Sequence, residues 1–186
     1  MNLSPIKNPD IAKNAKLPFK FYFSSMTKNN FKKIEKLVVN TGFGRIASQP
    51  NFEEKVLPEL VKEFSLITGQ KPSSRAAKQS IAGFKLRTGM VIGLKATLRR
   101  KRMRDFLEKM IKAALPRVRD FRGIDLKNID KMGNLTVGFK EHLVFPEVSP
   151  ETSTVNFGIE VTIVPKERKR EKAIVLYREL GIPLKK

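Results

Sequence analysis

The sequence predicts an α+β fold, in which helices pack on one face of a mostly antiparallel sheet and the other face stays free. Three observations support this prediction. Strand and helix patterns do not alternate in the β-α-β order of a parallel sheet. Residues 156–165 alternate apolar and polar side chains, as a strand with one buried face does. Residues 103–115 carry an apolar stripe at helical spacing, which can cover such a face.

The composition indicates one hydrophobic core and a polyanionic partner. The chain has 186 residues, 40% of them hydrophobic, with 38 Lys and Arg against 18 Asp and Glu and a net charge of +20. This balance favours nucleic acid over a membrane, because no apolar run approaches the roughly 18 residues that a span needs. The sequence has no Cys and only one His, so it excludes disulfides, thiolate zinc sites and multi-histidine metal sites. We expect no metal and no other cofactor.

Residues 1–33 are predicted to form an irregular basic arm, followed by a single α+β domain at residues 34–186. The arm carries seven Lys and one acid, and its three prolines prevent a long helix. Its aromatic cluster at residues 19–23 either docks the arm onto the core or stacks on bases. The arm is Lys-rich and interrupted by proline, unlike the Arg-rich amphipathic helix of a mitochondrial targeting segment.

The first predicted elements of the domain are a strand and a helix. Residues 34–40 form a short apolar strand, which ends in the turn-forming residues 41–44. Residues 51–66 place six apolar side chains on one stripe, so they predict a helix.

The ends of this helix are marked by particular residues. Asn51 and Glu54 have the spacing of an N-cap and its capping partner. Pro58 either kinks the helix or marks its true first turn, and Gly69 ends it. Residues 70–80 show no periodic pattern and are predicted to be a loop.

Residues 81–99 predict two strands joined by a turn at Thr88 and Gly89. In the second strand, four apolar residues from Ile92 to Leu98 alternate with positions that carry two cations, a hydroxyl and a glycine. One face of this strand should therefore be core and the other free. The residues predicted for the free face are Gly93, Lys95, Thr97 and Arg99.

Helix 103–115 is the clearest in the chain, and Pro116 is predicted to end it. Residues 117–130 are polar and mixed in sign, which is typical of a long exposed loop, with a turn at Gly123. Further strands are predicted at residues 135–139, 142–145 and 156–165, with His142 as an ordinary strand residue. A helix at residues 166–180, stopped by a Gly and a Pro, is predicted to close the chain.

The segment between Phe64 and Arg104 is the most unusual part of the sequence. It contains no Asp or Glu, whereas eleven Lys or Arg fall there. A soluble surface normally mixes both signs, because a field of one sign repels itself. We therefore expect this segment to bind a polyanion. Its cations are Lys71, Arg75, Lys78, Lys85, Arg87, Lys95, Arg99, Arg100, Lys101, Arg102 and Arg104.

Other chemistries fit the sequence less well. Gly42, Gly44 and Ala47 have the spacing of a dinucleotide-binding loop, but Pro50 follows where the helix of that loop should continue. No P-loop occurs, and the acids cluster on predicted helix surfaces, so we expect no enzyme. A free sheet face suits the wide minor groove of RNA better than the DNA major groove. The alternative is a protein that coats any nucleic acid by charge alone.

Several segments resemble, in order and spacing, the universal large-subunit ribosomal protein family five, which binds 5S ribosomal RNA. The resemblance covers roughly residues 34–184. It implies a structural, non-enzymatic protein of the central protuberance of the large ribosomal subunit. The matching segments are VVNTGFG, ITGQKP, AKQSIAGFKLRTGMVIGLKATLR, PRVRDFRG, FPE, FGIEVTI and the closing GIPLKK.

The resemblance also implies roles for particular side chains. The family holds 5S rRNA with residues that match Asn40, Gln70, Thr97 and Arg99, and Lys95 lies on the same predicted face. Its long loop toward the peptidyl-site tRNA corresponds to residues 71–88, and the candidate contacts there are Lys71, Arg75, Lys78, Ser80 and Lys85. The region that bridges to a small-subunit protein corresponds to Arg119, Asp120 and Arg122.

The expected partners are 5S rRNA, large-subunit rRNA, peptidyl-site tRNA and neighbouring proteins of both subunits, without a membrane and without an independent homo-oligomer. Bacterial members of the family usually begin with a regular helix, which residues 1–33 do not predict. The expected location is the cytoplasmic ribosome of a bacterium, with a mitochondrial or other organellar ribosome as the alternative.

Overall fold

The computed structural model describes residues 28–47, 51–151, 153 and 155–185. Within these residues the strands are β1 (Ile34–Gly42), β2 (Ser73–Ala76), β3 (Val91–Leu98), β4 (Leu135–Phe139) and β5 (Ile159–Pro165). The α-helical segments are α1 (Lys28–Phe31), α2 (Gly44–Ala47), α3 (Leu57–Thr68), α4 (Arg100–Lys109), α5 (Leu115–Arg117) and α6 (Arg170–Glu179).

The five strands form one antiparallel sheet in the order β2-β3-β1-β5-β4. Strand β1 is central, and its Val39 pairs with Ala96 of β3 and Val161 of β5. Because directly opposite residues of antiparallel strands share a face, these three apolar side chains form one row. The predicted α+β fold with an antiparallel sheet is confirmed.

The hydrophobic core lies between one face of the sheet and the helices. The inward residues predicted for the last strand, Phe157, Ile159, Val161 and Ile163, are all buried. The helices contribute an apolar stripe each, as the period of 3.6 predicts. The largest buried side chains that they contribute are Leu60, Phe64, Ile67, Phe106, Leu107 and Tyr177.

Two helical regions, residues 52–68 and residues 100–117, each contain a wide π-helical turn shortly before a proline. The turn Phe52–Val56 precedes Pro58, and the turn Met110–Ala114 precedes Pro116. Proline lacks an N–H, and its ring crowds the carbonyl four residues earlier, so a wider turn relieves the clash without ending the helix. The helix ends at Arg117, one residue after Pro116, so the predicted end at Pro116 holds to within one residue.

The start of the first long helix also differs from the prediction. Asn51 precedes the π turn with a left-handed backbone (φ 61°) and makes no side-chain capping bond. The predicted capping box of Asn51 and Glu54 is therefore wrong. At the other end, Gly69 has φ 66° and closes α3, as predicted.

The predicted strand at residues 81–87 is also wrong. Ile81 and Leu86 exchange two backbone hydrogen bonds, of 3.0 and 3.2 Å, around the 3₁₀ turn Ala82–Phe84, so this segment folds back on itself. The partner of β3 is instead β2, inside the segment that was predicted to be a loop. All four residues of β2 are exposed, so its sequence has no buried face to give a period of two.

His142 does not lie in a strand, because residues His142–Val144 form a 3₁₀ turn. Its ring is fully buried and stacks on Phe157 with centroids 4.0 Å apart. Its Nε2 lies 3.0 Å from Ser153 Oγ and 3.2 Å from Glu63 Oε2. The prediction of an ordinary strand histidine is therefore wrong.

The burial of His142 predicts a pH-dependent stability. The Phe157 N–H donates to Nδ1 (3.4 Å), which suits a neutral ring, and burial lowers the pKa of His142 despite the nearby Glu63 carboxylate. Below about pH 6.5 the His142 imidazole is then protonated in the unfolded chain but stays neutral in the folded chain. We expect the free energy of unfolding to fall by up to about 1.4 kcal/mol for each pH unit below about pH 6.5. The His142→Gln variant should lose less over the same range, because Gln does not titrate. NMR titration of a folded His142 at or above pH 6.5 would contradict this expectation.

The basic arm predicted at residues 1–33 lies mostly outside the described residues, and its aromatic cluster lies wholly outside them. Of that segment, residues Lys28–Phe31 form a single helical turn before β1. Strand β1 runs to Gly42, through part of the predicted turn at residues 41–44. Helix α6 begins at Arg170, four residues later than predicted.

Candidate nucleic-acid interface

The face of the sheet opposite the core, called here the free face, is polar and at least partly exposed. Lys95, Asn40 and Glu160 lie side by side on β3, β1 and β5, because Asn40 pairs with both of the others. Ser73 extends this row onto β2, and Gly138 extends it onto β4. The neighbouring row consists of Thr97, Val38, Thr162 and Thr136.

Three of the five residues predicted to bind 5S rRNA lie on the free face, and the other two lie at its end. Asn40, Lys95 and Thr97 belong to the two rows. Gln70 follows the end of α3, where its Nε2 donates to the Thr97 carbonyl oxygen (3.5 Å). Arg99 directly follows β3, with its side chain 55% exposed. The structure therefore brings these five residues to one side of the free face.

Arg102 joins this group, although the sequence did not single it out. Its Nη1 donates to Gln70 Oε1 (3.4 Å), so it stands beside the amide that also reaches Thr97. Arg102 lies in the first turn of α4 and is exposed. The signal in the sequence was only its membership of the run of cations from Arg99 to Arg104.

Glu35 is the acid that approaches this cationic end of the sheet. Its carboxylate lies 3.2 Å from Lys36, 3.7 Å from Arg168 and 3.9 Å from Arg99. The Lys36 ammonium, followed by the two guanidinium groups, lowers the pKa of Glu35, so it stays ionised near neutral pH. An exposed ion pair contributes little to stability, so the Arg99 guanidinium can exchange it for a phosphate.

Residues 71–90 are called here the basic finger. They include the edge strand β2 and continue beyond the sheet after it. Hydrogen bonds within the segment hold its shape: Ala77 N–H donates to Met90 O (2.8 Å), and Gly89 N–H donates to Ala77 O (3.0 Å). The hydroxyls of Ser80 and Thr88 lie 3.0 Å apart. The cations predicted to contact tRNA, Lys71, Arg75, Lys78 and Lys85, are exposed along the finger, as is Arg87.

The tip of the basic finger exposes two large apolar side chains, which sequence reasoning missed. Phe84 is 65% exposed and Ile81 is 45% exposed. Ile81 precedes the 3₁₀ turn and Phe84 is its last residue, so the two have a spacing of three residues, at which side chains eclipse. The sequence predicted a strand at residues 81–87, and one face of a strand in the sheet would be buried, so the exposure of both side chains was not expected.

Arg119, Asp120 and Arg122 lie together on an exposed loop after α5. Asp120 adopts a left-handed backbone with φ 55°, and Gly123 follows with φ 95°. The loop is fixed to the end of the chain, because Ile124 N–H donates to Pro183 O (2.8 Å) and Lys185 N–H donates to Ile124 O (2.9 Å). The three predicted bridge residues therefore share one anchored loop.

The structure does not support the enzymatic alternatives. Ser153 and Glu63 both approach Nε2 of His142, while Nδ1 accepts a backbone N–H, so the three do not form a catalytic triad. Strand β1 has only antiparallel partners, so Gly42 and Gly44 do not begin a dinucleotide-binding β-α-β unit. The described residues contain no cluster that could hold a metal ion, and none of their helices is long and apolar enough to span a bilayer.

Comparison with known proteins agrees with this geometry. The family model for ribosomal protein L5 matches residues 30–87, and the model for the C-terminus of the ribosomal L5P family matches residues 91–184. The chain is 44% identical over 167 residues to the large ribosomal subunit protein uL5 of Oceanobacillus iheyensis, and the match covers 90% of each chain. On these matches, which cover the sheet, the basic finger and the anchored loop, the chain belongs to the ribosomal protein L5 family and is a structural ribosomal protein rather than an enzyme.

Proposed function

We propose that the chain is a structural protein of the large ribosomal subunit that binds 5S rRNA through the free face. The observation that carries this proposal is the contiguous group of Asn40, Lys95 and Thr97 with Gln70 and Arg99 at its end. Its amides and hydroxyl can donate to and accept from base edges and 2′-hydroxyls, and its cations can pair with phosphates. A polar sheet face of this kind fits an RNA surface better than a DNA groove.

The basic finger is the proposed contact to tRNA in the peptidyl site. It is acid-free, holds its own fold through internal hydrogen bonds, and presents cations beside an exposed aromatic ring. Cations for phosphates and an aromatic ring for a base are the two elements of RNA binding without sequence readout. The anchored loop with Arg119, Asp120 and Arg122 is the proposed contact to a small-subunit protein.

The proposed partners are 5S rRNA, large-subunit rRNA, peptidyl-site tRNA and neighbouring ribosomal proteins. The proposed location is the cytoplasmic ribosome of a bacterium, which the match to a bacterial relative supports. We further propose that residues 34–186 act as one domain.

Replacing Arg99 by Ala tests the 5S rRNA site. We expect affinity for 5S rRNA to fall by about 1–3 kcal/mol, because a charge-assisted hydrogen bond is lost. Arg168→Ala is a matched control, since Arg168 has the same charge, is 58% exposed and approaches the same Glu35 carboxylate. Equal effects of the two substitutions in filter binding or calorimetry would show that only charge matters and would remove Arg99 from the site.

A further inference from the structure

An open hollow of about 480 Å³ lies on the free face across β1, β5 and β4. Polar side chains of Asn40, Asn128, Thr136 and Glu160 line it, and Gly42 and Gly138 leave parts of its surface without side chains. The hollow adjoins the residues already assigned to 5S rRNA, because Asn40 belongs to both. None of the resemblance-based assignments includes Glu160, Asn128 or the two glycines.

The fold does not require glycine at positions 42 and 138. A Cβ added at either position would meet no atom within 4 Å, and neither residue has the positive φ that favours glycine. In contrast, a Cβ at Gly93 would lie 2.7 Å from the Thr41 carbonyl oxygen, and one at Gly158 would lie 3.1 Å from the Phe139 carbonyl oxygen. Glycine inside a strand often marks the close approach of a ligand, and positions 42 and 138 fit that explanation.

Glu160 places a negative charge on the face that is proposed to bind RNA, which is itself a polyanion. It is exposed on the free face, directly opposite Asn40 on one side and Gly138 on the other. Within the described residues its carboxylate makes no ion pair or hydrogen bond. A carboxylate repels phosphate, so the RNA group nearest to it must offer a hydrogen-bond donor instead, which is a base N–H or a 2′-hydroxyl.

We propose that this hollow binds an unpaired RNA base that presents N–H donors on its Watson–Crick edge, with Glu160 as the acceptor. Guanine fits best, because its imino and amino groups offer two adjacent donors to one carboxylate, whereas cytosine and adenine offer one amino group and uracil offers one imino group. The amides of Asn40 and Asn128 can satisfy the remaining polar atoms of the base, and the space above Gly138 admits its ring. The inference rests on the proposed binding of 5S rRNA to the free face, and it adds a base-reading subsite to that face.

The substitution Glu160→Gln separates this inference from simple electrostatics, because the two predict changes of opposite sign. If Glu160 accepts from a base, the amide should lower affinity for 5S rRNA about tenfold. If it is only a negative charge near RNA, its removal should tighten binding, most strongly at low salt. The control Glu171→Gln removes one exposed acid from α6 and should not weaken binding.

Gly138→Val places a side chain in the hollow, where its Cβ would meet no atom within 4 Å, and should weaken 5S rRNA binding while the melting temperature stays unchanged. Replacing each unpaired guanine of the RNA by inosine removes the amino donor, and replacing cytosine by a 4-deamino analogue does the same for that base. One of these RNAs should lose affinity for the wild-type protein but not for Glu160→Gln. The inference is overturned if Glu160→Gln binds 5S rRNA more tightly than the wild-type protein. It is also overturned if both modified RNAs lose as much affinity for Glu160→Gln as for the wild-type protein. If the wild-type protein shows no preference for 5S rRNA over tRNA, the proposed function fails as well.

Discussion

Replacing Lys78, Lys85 and Arg87 together by Ala is expected to weaken tRNA binding on the order of a hundredfold and to leave 5S rRNA binding within about twofold. The three cations are exposed on the part of the basic finger that lies beyond the sheet. Arg75 is left unchanged in this variant, because it pairs with Gly93 at the edge of the sheet and lies close to the free face. The slope of log affinity against log salt should fall by roughly 2–3 for tRNA.

A second triple variant controls for net charge. Lys55, Lys62 and Lys131 are exposed and lie outside the finger, so their replacement by Ala lowers the charge equally. This control should change tRNA affinity much less than the finger variant. If both variants lose tRNA and 5S rRNA affinity alike, the basic segment acts as a diffuse field and the division into two sites is wrong.

Gly93→Val is expected to destabilise the fold by about 3 kcal/mol, which corresponds to a fall of roughly 6–12 °C in melting temperature. Gly93 lies in β3 opposite Gly42 of β1, and an added Cβ would lie 2.7 Å from the Thr41 carbonyl oxygen. Both strands are fixed by neighbours on their other sides, so the backbone cannot separate without loss of ladder hydrogen bonds.

Gly42→Ala is the control. Gly42 is paired directly opposite Gly93, and a Cβ added there would meet nothing within 4 Å. Urea denaturation should show a large fall in the free energy of unfolding for Gly93→Val and little change for Gly42→Ala. Equal stabilities would mean that β1 and β3 approach each other less closely at this point.

The central strands of the fold could be predicted because each has one buried face. The alternation of Leu94, Ala96 and Leu98 with Lys95 and Thr97 gave both the strand and its orientation. Strand β2 could not be predicted in this way, since it is an edge strand of four exposed residues. The strand that pairs with β3 at this edge was therefore predicted at residues 81–87, which instead form the tip of the finger.

The prolines show a different limit of sequence reasoning. Pro58 lies in the first turn of α3, as one of its two predicted alternatives has it, and Pro116 lies one residue before the end of its helix, but a π turn precedes each proline and was not predicted. The rule for proline assumes regular α-helical geometry, and one wider turn removes the clash on which the rule depends. The surroundings of His142 likewise could not be predicted, because Glu63, which lies 3.2 Å from its Nε2, is far from it in sequence.

The candidate site could be predicted in part. Lys95, Thr97 and Arg99 follow from the alternation of residues 92–99, and the resemblance added Asn40 and Gln70. The hollow around Glu160 could not be predicted, because it exists only once β1, β5 and β4 are known to be neighbours in that order.

Competition for labelled 5S rRNA tests the central claim most directly. The measurement uses about 0.15 M salt, where exposed charges are substantially screened, with unlabelled 5S rRNA, tRNA and duplex DNA as competitors. The account predicts that unlabelled 5S rRNA displaces the label far better than equal masses of tRNA or DNA. Equal displacement by all three would contradict it and would favour a protein that coats nucleic acid by charge alone.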